Sequence, residues 1–294
     1  MKSAFLSLAA LSCGTLLWTG CIDTGQDYAS IPLFTAGSDV SSPLTTSDGT
    51  EIQIDRADVA FGPLYLCAGA SAGQLCETAR FEWLESAVVD TTLTEPAQVG
   101  ELSGVTGPVR SWMYELGISS QLTRLDPFVL DAAKQLGGFS FVLEARATVS
   151  GIEIPVVAEL AIEQSNDTEL GVPVIRKSIS DPFDRYVTGS EDSLLITFDS
   201  SQWLKNLPLE NYVSFEVCTS SSAAVICDGL IERSCNGAIE NSNRDCGDLG
   251  QVCLSGLGCQ EQLYISSEGE AARNIRNALL SGPRPSFSWT TSPK

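Results

Sequence analysis

The segment at residues 141–162 has the clearest pattern in the chain, because its apolar residues fall at every second position on both sides of Ser150-Gly151. Side chains of a β-strand alternate between the two faces of a sheet, so this period predicts two strands with one apolar face each. A two-residue turn places Val149 opposite Ile152 and brings both apolar rows to the same side. We therefore expect a long amphipathic hairpin in the middle of a sheet, since an exposed edge of that length would favour aggregation.

Shorter stretches with similar patterns follow along most of the chain. We expect further strands at residues 31–36, 51–61, 64–66, 98–105, 109–118, 172–179, 193–198, 212–217 and 285–289. Residues 79–90 fit either a helix or a strand. Many short strands and few helices predict a mainly β fold, namely an antiparallel β-sandwich or a barrel-like relative of it.

Three segments have helical signals. Residues 131–136 predict one short helix, and Asp199 is a candidate cap for another that carries Trp203. A C-terminal helix is expected at residues 268–280, with Ser267 as its cap and Gly282 as its stop.

An apolar N-terminal run follows Lys2 and ends in Leu16-Leu17-Trp18-Thr19-Gly20-Cys21. The run is shorter than the roughly 20 apolar residues of a transmembrane helix, which favours a signal peptide. Its end resembles the lipobox of bacterial lipoproteins, where a cysteine after a small residue is the site of cleavage and acylation. The resemblance implies removal of residues 1–20 and acylation of Cys21, for example with palmitate. An ordinary signal peptide cut near Gly20 is the alternative.

The anchor defines the expected location and domain order. It predicts a protein of the bacterial cell envelope, attached to the outer membrane on its periplasmic side or at the cell surface. Residues 21–49 would provide the lipid attachment and a tether rich in Ser, Thr, Gly and Asp. If the apolar island at 31–36 is a first strand instead, the tether shortens to a few residues. Residues 50–226 and 260–294 would form the sandwich, and 227–259 an insert.

Of ten cysteines, Cys13 lies in the signal segment and Cys21 at the anchor. The other eight are Cys67, Cys76, Cys218, Cys227, Cys235, Cys246, Cys253 and Cys259. An even number in an exported chain predicts disulfides, here four. Spacing favours Cys67–Cys76 and then Cys218–Cys227, with the last four pairing among themselves. Apolar residues are scarce between 227 and 259, so bridges would replace a core there.

Composition excludes several functions. The chain has 37 acidic and 17 basic residues and a formal net charge of −20, which repels the phosphates of nucleic acid. It has no histidine, which excludes Ser-His-Asp and Cys-His nucleophiles and imidazole metal ligands. We therefore expect no nucleic-acid partner, no catalytic residues, and neither a cofactor nor a metal.

Three groups of residues keep alternatives open. The polar run at 241–248 resembles a calcium loop, but Cys246 and Val252 occupy the positions where an EF-hand has Gly and Glu. Four acids near strand ends are candidates for carboxylate-based glycan hydrolysis, namely Asp184, Glu191, Asp192 and Asp199. Aromatic residues that could form a ligand platform are Trp83, Trp112, Trp203, Trp289, Tyr65, Tyr114, Tyr186, Tyr212 and Tyr264, and core packing is the main expectation for them.

Residues 56–67 (Arg-Ala-Asp-Val-Ala-Phe-Gly-Pro-Leu-Tyr-Leu-Cys), the cysteine-rich 235–259 and the end at 285–289 resemble lipoproteins of myxobacterial type with a cysteine-rich insert. A fainter similarity, in 193–199 followed by Trp203, is to β-sandwich proteins linked to periplasmic copper handling, whose metal chemistry relies on histidine. We expect a lipid-anchored envelope protein with a non-enzymatic binding or scaffolding role towards a protein or glycan. A glycan hydrolase and a calcium- or copper-binding protein are the alternatives.

Overall fold

The structure is a computed structural model that describes residues 26–69, 79–117, 129–162, 175–178, 185–191, 193–213, 216–220 and 225–290. It confirms the mainly β fold, with 53% of the described residues in strands and 13% in helices. In the part of the chain that is described, no helix is long and apolar enough to cross a membrane.

Within the described residues, twenty-one strands and three α-helices follow one another. The strands are β1 (Tyr28–Ala36), β2 (Leu44–Thr45), β3 (Glu51–Phe61), β4 (Leu64–Cys67), β5 (Ala79–Trp83), β6 (Ala87–Asp90), β7 (Ala97–Val105), β8 (Gly107–Val109), β9 (Ser111–Glu115), β10 (Phe141–Val149), β11 (Ile152–Leu160), β12 (Ile175–Ser178), β13 (Arg185–Val187), β14 (Ser193–Thr197), β15 (Val225–Asp228), β16 (Ile231–Asn236), β17 (Ile239–Asp245), β18 (Val252–Leu254), β19 (Gly258–Gln260), β20 (Leu263–Ile265) and β21 (Ser286–Thr290). The helices are α1 (Asp131–Gln135), α2 (Ser201–Leu204) and α3 (Glu270–Ser281).

Two large sheets form a sandwich. The first sheet has the strand order β12-β9-β4-β5-β7-β1-β14-β21, and the second has the order β2-β3-β10-β11-β20, with β6 also paired to β3. Most neighbours are antiparallel, but β1 runs parallel to β14 and β11 parallel to β20. Because β1 lies between β7 and β14, the apolar island at 31–36 is a strand inside the first sheet.

The inward side chains of both sheets share one core. Phe61 of β3 packs against Tyr114 of β9 and Phe198, with ring centroids 5.3 Å apart in both pairs. Trp203 of α2 meets Phe141 of β10 edge to face at 5.5 Å. Helix α3 adds Ile275 and other small or apolar side chains to the same cluster. The large aromatic residues therefore hold the sheets together, as sandwiches require.

The predicted hairpin is confirmed. β10 and β11 pair with Val149 opposite Ile152, and β10 lies between β3 and β11. Ser150 and Gly151 have φ values of 51° and 82°, the left-handed conformation that a tight two-residue hairpin turn requires. One face of the hairpin is buried and the other carries the charges, so the period-two pattern determined the orientation of both strands.

Two local predictions are wrong. The strand expected at 212–217 does not form at its described residues 212, 213, 216 and 217, and residues 214 and 215 lie outside the described part. Leu209–Tyr212 is instead a 3₁₀ turn, in which buried Leu209 enters the core and Val213 donates its N–H to Glu210. The C-terminal helix does end at Gly282, but it begins after Gly269, whose φ of 108° introduces a turn that displaces the expected serine cap. Residues 79–90 form two strands instead of a helix.

Three disulfides join the region from Cys218 to Cys259. They are Cys218–Cys235, Cys227–Cys253 and Cys246–Cys259. The predicted pair Cys218–Cys227 is wrong, and of the last four cysteines only Cys246 and Cys259 pair with each other. Cys67 is also disulfide-bonded, and its expected partner, Cys76, lies outside the described residues.

The pairing follows from the packing of two small sheets, β15-β16-β17 and β18-β19. Cys253 faces Cys259 across β18 and β19, yet each bonds to a cysteine of the other sheet region. The buried sulfurs form a cluster of their own, while Val252 and Leu254 belong to the main core. The bridges therefore connect elements that are neighbours in space and distant in sequence, which spacing alone does not reveal.

Candidate functional site

The outer face of the second sheet is the candidate functional site. It consists of the side chains of β3, β6, β10 and β11 that point away from the core. Its carboxyl groups are Glu51, Asp55, Asp58, Asp90, Glu144, Glu153 and Glu159, and its guanidinium groups are Arg56 and Arg146. We call this surface the acidic face. With seven acids and two bases it is strongly negative, and most of these side chains are exposed or half-buried.

A β-bulge gives the acidic face its central charges. Opposite β10 the register shifts, so that Glu144 pairs with Arg56 while Ala145 pairs with Ile54. Asp55 is the extra residue, and it lies exposed beside Arg56. A bulge inserts one residue into a strand and re-aims its neighbours. Two consecutive charged residues of β3 therefore lie on the same outer face.

Ion pairs fix these charges in place. Arg146 donates from Nε and Nη2 to the two oxygens of Asp55, at 3.0 and 2.8 Å. Arg56 donates to Asp58 at 2.7 Å and to Glu144 at 2.9 Å, so it joins two strands. Bidentate and bridging arginines hold a defined geometry better than single exposed pairs do. The acidic face is consequently an ordered array of charges.

The electrostatics differ along the face. The hydrogen bonds from Arg146 lower the pKa of Asp55 below its usual value. Burial raises the pKa of Asp58, because the loss of hydration and the nearby charges of Asp90 and Glu144 outweigh the attraction of Arg56. Asp58 and Asp90 face each other across β3 and β6, so two carboxyl groups lie side by side at this position.

One end of the sheet's outer surface is covered and the other is open. At the covered end, α1 and its flanks pack Ala133 and Leu136 against Ala60 and Val142. At the open end, Thr148 is exposed and lies between Glu51 on β3 and Glu153 on β11. The exposed part is the open outer face of a sheet, which suits a macromolecular partner better than a small ligand.

The acids singled out from the sequence have local structural roles where they are described. Glu191 accepts hydrogen bonds from the Thr188 N–H and forms an ion pair with Arg185 at 3.2 Å. Asp199 accepts from Ser201 and Gln202 at the start of α2. Asp199 also accepts from the Ser38 hydroxyl at 3.1 Å, so both carboxylates have structural partners. The other two, Asp184 and Asp192, lie outside the described residues.

The polar run at 241–248, where a calcium site was an open alternative, is a strand up to Asp245 and continues into a 3₁₀ turn at Gly247–Leu249. Residues 239–245 form β17, whose exposed side chains spread along one edge of a three-stranded sheet. In a strand, side chains on one face recur about 6.8 Å apart, whereas calcium ligands must converge at about 2.4 Å from one ion. Asn243 and Asp245 also have other roles, since Asn243 donates to Glu240 and Asp245 accepts from the Gly247 N–H. This arrangement does not form an EF-hand-like site.

One group of possible ligand atoms lies close together among the described residues: Glu232, Cys246 and Cys259, whose atoms are within 4.8 Å of one another. The two sulfurs form a disulfide with each other. A disulfide has no thiolate to offer, so this group does not fit a metal ion in the oxidised protein.

The aromatic residues are divided between core and surface. Trp83, Trp112, Trp203 and Tyr114 are at most 5% exposed and belong to the core, as expected. Tyr264 is about half exposed and donates its hydroxyl to Glu159 at 2.7 Å, which adds a polar aromatic to the rim of the acidic face. The structure therefore does not assemble the predicted aromatics into one platform.

Glu115 is a buried acid that the sequence reasoning missed. It ends β9, is 5% exposed, and its Oε2 has no hydrogen-bond partner. Burial raises the pKa of Glu115 to about 7. Tyr65 on the adjacent β4 has a raised pKa for the same reason, with added repulsion from Glu115 and Glu82. Five consecutive buried residues in β9 contradict the usual alternation, and no local signal in the sequence indicates this burial.

Comparisons with known proteins give little similarity. No family model and no curated protein matches the chain. Among solved structures, MbnP from Methylosinus trichosporium is similar over 61% of this chain and 78% of that protein, with 8% sequence identity and a TM-score of 0.32. A likeness this remote supports no statement about function.

Proposed function

We propose that the chain is an exported envelope protein, lipid-anchored through Cys21, that binds a basic protein partner through its acidic face without catalysing a reaction. The proposal joins two separate expectations. One concerns location and rests on the N-terminal sequence and the disulfides. The other concerns binding and rests on the geometry of the second sheet.

The disulfides are typical of a protein that works outside the cytoplasm. Such bonds form and persist in oxidising compartments and are rare where thiols are kept reduced. Three of them lie within residues 218–259. Together with the lipobox-like segment ending at Cys21, they support export followed by anchoring.

The observation that carries the binding role is the open, ordered acidic face. A sheet face that packs on nothing is normally a solvated surface with interspersed charges of both signs. Here seven carboxyl groups accompany two arginines, and those arginines are engaged with Asp55, Asp58 and Glu144. The remaining negative charge is complementary to lysine- and arginine-rich surfaces, which it would attract over about one Debye length.

The binding role is tested by reversing charge at the open end. The double variant Glu51→Lys, Glu153→Lys is used as bait in envelope extract beside the wild type, and captured proteins are quantified by mass spectrometry. The matched control, Glu95→Lys with Glu101→Lys, changes the net charge equally at exposed positions in the loop before β7 and in that strand of the first sheet.

We expect one or more basic proteins that wild type and control capture equally and that the face variant captures about tenfold less. Their capture should also fall as salt increases. Equal capture by all three baits, or no specific capture by any, would contradict the proposed role of this face.

A further inference from the structure

A carboxylate lies directly beside one disulfide of the cysteine-rich region. An oxygen of Glu232, on β16, is within 4.8 Å of both sulfurs of Cys246–Cys259. Glu232 Oε2 accepts the N–H of Cys259 at 2.7 Å and a hydrogen bond from Arg244 at 2.9 Å. These bonds hold the carboxylate against the bridge.

The backbone leaves room for this approach. Gly258 has a φ of 77°, and a Cβ at that position would lie 2.5 Å from Glu232 Oε2. A side chain there would displace the carboxylate. The hydrogen bond from the Cys259 N–H also keeps the pKa of Glu232 below its usual value, with a further contribution from Arg244. Glu232 is therefore negatively charged at neutral pH.

The charge matters because disulfides are opened by anions. The thiolate of a dithiol reductant attacks one sulfur, forms a mixed disulfide and releases the other cysteine as a thiolate. The second thiol of the reductant then attacks the mixed disulfide and releases the remaining cysteine as a thiolate. The oxidised reductant leaves as a cyclic disulfide. The protein gains two electrons and the reductant loses two. A fixed negative charge disfavours both the approaching thiolate and the departing one.

We propose that Glu232 guards the Cys246–Cys259 disulfide against reduction by thiols. The bridge is buried, with Cys246 fully inaccessible and Cys259 9% exposed, so water screens the charge only in part. Arg244 opposes Glu232, but its side chain is 54% exposed and its positive charge is more strongly screened.

Two of the three bridges of this region therefore open in a defined order. Cys218 is half-buried, so Cys218–Cys235 is the most accessible of the three. Thiols reduce this outer bridge first and release the segment at 216–220 from β16. Cys246–Cys259 is reduced later than this outer bridge and keeps β19 attached to the end of β17.

The test compares reduction rates of individual bridges in the full mature protein. Samples treated with dithiothreitol are quenched by alkylation, and peptide mass spectrometry reports each bridge over time. The variants are Glu232→Gln, which keeps an acceptor for the Cys259 N–H, and Arg244→Gln, which removes the opposing positive charge. Glu101→Gln, at an exposed position of β7 in the first sheet, is the charge-matched control.

We expect Glu232→Gln to open Cys246–Cys259 about tenfold faster and Arg244→Gln to open it more slowly. The control should match the wild type. The opposite directions separate an electrostatic role from loosening of the structure, because loosening would accelerate both variants and all three bridges. Unchanged rates in Glu232→Gln, or acceleration in both variants, would overturn the proposal. Should Glu232→Gln fail to fold, the Arg244→Gln rate decides: slower opening supports the proposal, and an equal or faster rate refutes it.

Discussion

Replacing Glu115 by glutamine is predicted to change how the stability of the protein depends on pH. The two side chains have nearly the same shape, but only glutamate ionises. Burial raises the pKa of Glu115 in the folded protein from its ordinary value of 4.5 to about 7. Between these values the folded state binds a proton that the unfolded state has released.

The sign and size of the effect follow from that difference. Below pH 4.5 Glu115 is protonated in both the folded and the unfolded state, so the folded protein buries no charge at this position. Above about pH 7 it is ionised in both states, and the folded protein then carries a buried charge. The free energy of unfolding of the wild type therefore falls as pH rises through this window. At about 1.4 kcal/mol per pH unit, the loss amounts to about 3 kcal/mol.

The assay is urea unfolding of wild type and Glu115→Gln at pH 4.5 and pH 8. The amide also buries new donors, which costs about 1–3 kcal/mol at every pH, so the informative quantity is the change in the difference between the proteins. Between pH 4.5 and pH 8, the free energy of unfolding of the variant should rise by about 3 kcal/mol relative to that of the wild type. The control is Glu82→Gln, an exposed acid on β5, for which the difference should stay constant within about 0.5 kcal/mol. A constant difference for Glu115→Gln as well would refute the reasoning.

The remaining predictions concern the hairpin and the anchor. Leu143→Ala and Leu160→Ala, at two fully buried positions, should each lower the free energy of unfolding by about 2–5 kcal/mol. Glu153→Ala, on the outer face, should change it by less than about 0.5 kcal/mol. Equal small effects of all three would mean that the two faces of the hairpin are misassigned. Ser150→Asn should raise the free energy of unfolding by a few tenths of a kcal/mol, because asparagine tolerates the positive φ of 51° better than serine; a lower free energy of unfolding would contradict this explanation of the turn. Mass spectrometry of the mature N-terminus should find an acylated Cys21, and a free residue 21 or another cleavage site would contradict the anchor.

Local sequence patterns were sufficient to predict the elements that have the same surroundings along their whole length. The alternation of residues 141–162 predicted the strands, the turn and the buried face of the hairpin, because one side of the sheet packs on the core along its whole length. The same reasoning predicted α1 and the end of α3 at Gly282. In each case the residue pattern and the final environment agree over several consecutive positions.

The features of the sites depend on long-range geometry instead. The bulge at Asp55 has a local signal in hindsight, since buried Ile52, Ile54 and Ala57 are spaced by two and then three residues. To predict the resulting ion pair between Asp55 and Arg146, however, one must know which strand lies beside β3. The disulfide pairing and the burial of Glu115 likewise depend on which elements meet in space. Sequence spacing therefore predicted that bridges exist but assigned most partners wrongly.

Photo-crosslinking in intact cells tests the proposed binding face most directly. A photoreactive amino acid replaces Thr148, which lies exposed between Glu51 and Glu153, and in a second strain it replaces Leu257, which is 58% exposed in the β18–β19 turn. We predict that the probe at Thr148 gives a discrete adduct with a basic envelope protein, that Glu51→Lys with Glu153→Lys abolishes this adduct, and that the probe at Leu257 gives none. Absence of an adduct at Thr148, or the same adduct from both positions, would contradict binding through the acidic face.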